Sequence, residues 1–108
     1  MSLEELLREF RSKAEELERE ARRRLEAKFG KEIAAVVVRE LKEVIEMVEE
    51  GLKEDYKSGD AHSTDYYLEW AVDDLFDDEL GYVWAIIDGV LKVIEEECRK
   101  ALGEVLGS

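Results

Sequence analysis

The side chains best suited to chemistry lie in one acidic run, VDDLFDDELG at 72–81. Asp73, Asp74 and Asp77 stand in DDxxD spacing, followed by Asp78 and Glu79. Carboxylates so spaced could hold Mg²⁺ or Ca²⁺, which take oxygen ligands. Three lesser candidates exist. His62 lies in SGDAHSTD among Ser58, Asp60, Ser63 and Asp65, the residue types of a Ser–His–Asp catalyst. Cys98 is the one thiol, and Glu43, Glu46, Glu49 and Glu50 gather in the middle of the chain.

The elements that must position these groups are helices. Ser2 and Glu5 form a capping box. Behind it Leu3, Leu6, Leu7, Phe10, Ala14, Leu17, Ala21 and Leu25 recur at steps of three and four. On the outer face Glu precedes a base by four residues at Glu4–Arg8, Glu9–Lys13, Glu15–Arg19, Glu18–Arg22 and Glu20–Arg24. Arg22, Arg23, Arg24 and Lys28 suit the negative end of the helix dipole, and Gly30 supplies the stop. A second helix is expected over about 31–57, on a stripe from Ile33 to Leu52. Ser58-Gly59-Asp60 breaks it, and Ser63 or Thr64 can cap a third, short helix over 65–77.

In YVWAIIDGVLKVI, Asp-Gly between apolar flanks is a hairpin signal. The flanks do not alternate, however. Leu80, Val83, Trp84, Ile87, Val90, Leu91, Ile94, Cys98, Ala101 and Leu102 keep helical spacing, which predicts a fourth helix over 79–103. Gly89 inside it is expected to mark a close helix–helix approach. The fold class is therefore all-α, a single domain over 1–108. It is a compact bundle of about four helices (long, long, short, long), the short one across or at the end of the three long ones.

That geometry bears on the acidic run. At 100° per residue, Leu68, Ala71, Val72, Leu75 and Phe76 share one face, and Glu69, Asp73, Asp74 and Asp77 share the opposite one. DDxxD resembles the aspartate-rich motif with which class I terpene and prenyl synthases hold Mg²⁺ and a diphosphate. Those enzymes are much larger and carry a second metal-binding motif, which this chain lacks. Glu43, Glu46, Glu49 and Glu50 with Asp74 and Asp77 are loosely similar to the EExxE and ExxD pair of MazG-type nucleotide pyrophosphohydrolases, again without an intact EExxE. Outward carboxylates do not build a bundle-interior metal site, so no metal and no cofactor are expected. Asp77, Asp78 and Glu79 would repel one another within one straight helix, which predicts a break or sharp kink at 77–79.

The aromatics crowd the same stretch: Tyr56, Tyr66, Tyr67, Trp70, Phe76, Tyr82 and Trp84. Tyr66 and Trp70 project among the carboxylates, so Tyr66, Trp70, Asp73, Asp74 and Asp77 form a candidate interaction patch. The expectation is that the long helices cover the two rings. Cys98, between Ile94 and Ala101 on an apolar stripe, is expected to be a buried structural thiol.

Charge and composition exclude several classes. The net charge is −13 over 108 residues. Residues 1–42 hold 11 basic and 10 acidic side chains, a net of +1, whereas residues 43–79 hold 2 and 14, a net of −12. Nucleic acid and anionic membrane are therefore not expected as partners. A basic protein partner or self-association is conceivable, and none is required. One cysteine allows no internal disulfide. MSLEELLREF lacks the order of a signal peptide, and the apolar runs IAAVVV and YVWAII are too short for a bilayer. A soluble, cytoplasmic, monomeric protein is expected.

Capping box, repeated Glu-to-base pairs, clean stripe and absence of proline resemble computationally designed helical proteins. The closing Gly107-Ser108 agrees. That resemblance implies a structural role and no active site, hence not an enzyme. The alternatives are an acidic interaction module of the immunity or inhibitor type, and a weak carboxylate Mg²⁺/Ca²⁺ site or MazG-like hydrolase.

Overall fold

Ser2 starts the first helix as its chemistry dictates: its Oγ accepts the Glu5 N–H at 3.1 Å, satisfying one orphan donor of the first turn. The computed structural model describes residues 1–80 and 88–107, the side chains of Glu79 and Asp88 excepted. From Ser2, α1 (Leu3–Phe29) runs unbroken. At 1.5 Å per residue it is about 40 Å long, nearly the full 41 Å of the molecule's longest axis.

A single residue then turns the chain. Gly30 has φ +88°, a backbone conformation that a Cβ disfavours, and its N–H donates to Glu26 O at 3.0 Å. α2 (Lys31–Ser58) follows and ends in a Schellman arrangement. Gly59 is left-handed (φ +79°), its N–H reaching Tyr56 O at 3.2 Å and that of Asp60 reaching Asp55 O at 2.8 Å. Ser63 caps α3 (Thr64–Asp74), with its Oγ accepting the Tyr66 N–H at 3.4 Å. The last described helix is α4 (Asp88–Gly107), and no strand occurs among the described residues.

The expected stripes form the core. Phe10, Leu17, Leu25, Val37, Leu41, Leu52, Tyr67, Leu68, Leu75, Leu80 and Ile94 are completely buried, and one continuous cluster spans all four helices. α1 is the central element and packs against α2, α3 and α4. The architecture is thus the all-α bundle with long, long, short, long order. No described helix is long and apolar enough to cross a membrane.

Where a break or sharp kink is expected at 77–79, α-helical winding gives way to a π turn, and residues 81–87 beyond it lie outside the described ones. Leu75–Glu79 continue directly from α3 as one π-helical turn, and the Leu80 N–H donates to Leu75 O. Burial supplies the reason. Leu75, Phe76 and Leu80 are all buried, and an i→i+5 turn keeps Leu75 and Leu80 on one face where α-helical winding would separate them by about 140°. Burying each such side chain is worth about 1.5–3 kcal/mol, against a few tenths for each like-charge pair at helical spacing. Packing decides. Tyr82, Val83, Trp84 and Ile87 of the expected fourth stripe lie outside the described residues, as does most of the hairpin alternative. From Asp88 onward the chain is helical. Among the described residues Gly89 marks no close approach: a Cβ there would meet none of them within 4 Å.

Candidate functional site: the acidic–aromatic face of α3

α3 has two faces of opposite character. Tyr67, Leu68, Ala71 and Val72 turn inward. The Tyr67 hydroxyl donates to Asp55 Oδ2 at 2.9 Å and accepts the His62 N–H at 3.1 Å. Burial, assisted by the Asp55 carboxylate, pushes this phenol above the ordinary tyrosine range. Tyr67 therefore pins the 59–63 loop between α2 and α3. The aromatic count in the sequence had not singled it out as the anchor of the group.

The outer face carries Tyr66, Glu69, Trp70 and Asp73. The expectation that long helices cover the two rings fails, for Tyr66 is 45% exposed and Trp70 36%. Trp70 is only partly covered. Its six-membered ring lies against Gly51 of α2, where a Cβ would come within 2.7 Å of Cη2. That contact explains a glycine in mid-helix. His62 stacks on Tyr66 at a centroid distance of 4.1 Å, and Tyr66 meets Tyr67 edge-on at 5.1 Å. Tyr67 lies 6.3 Å from Trp70, completing a row of four rings.

Of the five sequence-predicted patch residues, Tyr66, Trp70 and Asp73 meet. With Glu69 they line a recess of about 220 Å³. Asp73 Oδ1 also accepts from Arg99 Nη1 of α4 at 2.9 Å. Asp74 is half-buried at the end of α3 and Asp77 is exposed on the π turn, and neither lines the recess. Among the described residues no three His, Cys, Asp or Glu side chains converge as a metal site would require. Glu43, Glu46 and Glu50 are exposed, while Glu49 accepts a bidentate pair from Arg11 at 2.7 and 3.2 Å.

The remaining candidates are tied into structure. Ser58 Oγ donates to Glu54 O, Ser63 caps α3, and Asp65 pairs with Lys13 at 3.1 Å, leaving the exposed His62 with no catalytic partner among them. Cys98 is fully buried, and burial pushes its thiol up to about 12.

One charged site escaped the sequence reading. Glu97 of α4 is buried, yet its carboxylate meets Lys28 at 3.0 Å, Arg24 at 3.2 Å and Lys100 at 3.4 Å. Lys28 first, then Arg24 and Lys100, hold it down to about 2. Arg24 also pairs with Glu104. Its Nε lies 3.2 Å from Glu20 Oε1 but outside hydrogen-bonding geometry. Of the cations expected at the α1 dipole, Lys28 sits in the last turn, and it and Arg24 also clasp α1 to α4. The available signal was spacing, because Glu97 lies three residues after Ile94 and four before Ala101, next to the buried stripe of α4.

No protein-family model matches this chain, and neither a curated protein nor a solved structure shows detectable similarity to it.

Proposed function

We propose that this chain is a designed all-α scaffold whose role is structural, with its charged chemistry directed at holding its own helices. The observation that carries this reading concerns the perturbed carboxylates. Three carboxylates of the described residues are held below their ordinary range by cations of the same chain: Glu49 by Arg11, Glu20 by Arg23, and Glu97 by Lys28 and Arg24. At reactive centres such shifts serve a substrate or a metal; here they serve interhelical packing and one helix surface. No reaction is assigned to the chain. Thermal melts with and without Mg²⁺, Ca²⁺ or Mn²⁺ test the reading. The expected midpoint is unchanged by any of them. A ligand present at a hundred times its Kd adds about 2.7 kcal/mol of stability, and an upward shift of that order would replace the scaffold with a metal protein.

The exposure of Tyr66 and Trp70 beside Glu69 and Asp73 supports a second reading, an acidic docking face for a basic partner. Under it, a cationic peptide binds with an affinity that falls as salt rises. Salt-independent binding, or none, removes it.

A further inference from the structure

The recess on α3 has a chemistry more specific than negative charge. Tyr66 and Trp70 stand four residues apart on one helix, as do Glu69 and Asp73, so two rings and two carboxylates form adjacent columns about 6 Å long. The edge of the Trp70 six-membered ring is seated on Gly51, and 36% of the residue remains exposed. Among the described residues no cation lies within ion-pair distance of Glu69. A guanidinium already answers the same carboxylate column from the far side, where Arg99 donates to Asp73.

We propose that the Tyr66–Glu69–Trp70–Asp73 recess receives an arginine side chain from an extended basic segment of a partner protein. This rests on the acidic docking reading and narrows it. A guanidinium is planar, lies flat on aromatic faces and offers paired N–H donors to carboxylates, whereas an ammonium is a compact, strongly hydrated charge. The recess, at about 220 Å³, is large enough for one such head group with part of its stem and too small for a folded element. The flanking segment 43–79, with 14 acidic and 2 basic side chains, favours further positive charge on either side. It disfavours the same face of a second copy. A metal ion would need a third convergent ligand, which the described residues do not provide.

The test titrates the intact chain with oligoarginine and oligolysine peptides of equal length, at matched salt, by calorimetry. Oligoarginine is expected to bind about tenfold more tightly, the scale of a cation–π contact. Trp70→Ala should bring oligoarginine to the oligolysine level. Tyr66→Ala, at an exposed position, should narrow the preference without unfolding the chain, checked by its melting curve. Equal binding of the two peptides overturns the arginine site while leaving the acidic docking face standing. Binding of neither overturns both. A preference that survives Trp70→Ala and Tyr66→Ala places the site elsewhere and overturns the proposal.

Discussion

Glu97 shows how a charge survives inside a helical interface. Its three cations reach it from the rim, where the Lys28 and Lys100 side chains remain about half exposed while the carboxylate is buried. Glu97→Gln keeps the shape and removes the charge. It is expected to cost roughly 1–2 kcal/mol, reduced from a fully buried case by solvent around the lysines, read as a lower urea midpoint. The pH dependence has a definite sign. Glu97 and Glu20 lie at about 2 against an ordinary 4.5, and Arg11 lowers Glu49. A depressed carboxylate contributes stability that is complete above its ordinary value and lost as pH falls through the folded one. Melting midpoints should therefore decline between pH 4.5 and about 2, and decline less in Glu97→Gln. Cys98 offers a separate check. With its thiol buried and raised to about 12, alkylation in native buffer should be far slower than in denaturant. Equal rates would place the thiol at the surface.

The helices themselves were largely legible from residue spacing. The α1 stripe predicted its bounds because every third or fourth residue is apolar and a capping box precedes them. Gly30 and Ser63 marked real turns for the same local reasons. What stayed hidden depended on partners distant in the chain. Only two of the five expected Glu-to-base pairs on α1, Glu9–Lys13 and Glu20–Arg24, close within ion-pair distance among the described residues. Lys13 also reaches Asp65 on α3, and Arg11, outside those five pairs, reaches Glu49 on α2. The form of the irregularity at Leu75–Glu79 was invisible for a similar reason: repulsion among the acids marked the place, and burial of Leu75, Phe76 and Leu80 sets the π turn. Of the candidate patch, Tyr66, Trp70 and Asp73 converge as their wheel positions implied, but Asp77 does not, because the π turn shifts the register after Asp74. The glycines give an element-scale prediction. Gly103 lies exposed within α4 with nothing near a would-be Cβ, so Gly103→Ala should stabilise by up to about 1 kcal/mol. Gly59→Ala, at φ +79°, should destabilise by about 1–2 kcal/mol. Opposite shifts in melting midpoint are the expected result.

At the scale of the molecule, a chain of net charge −13 with 14 of its acids between 43 and 79 must overcome its own repulsion to stay folded. The cations concentrated in α1 do part of this, because α1 packs against α2, α3 and α4 and carries Arg11 to α2, Lys13 to α3, and Arg24 and Lys28 to α4. The continuous core does the rest. If this is a self-contained scaffold, no ligand is needed to complete it, and its helices should unfold together. The most direct measurement is urea unfolding of the isolated chain, followed in parallel by far-UV circular dichroism and by tryptophan fluorescence. The first probe reports all the helices, and in a Trp84→Phe background the second reports α3 through Trp70. Coincident single transitions with one midpoint are predicted. A fluorescence transition that precedes loss of helix, and joins it only when a divalent cation or a basic peptide is added, would contradict the account.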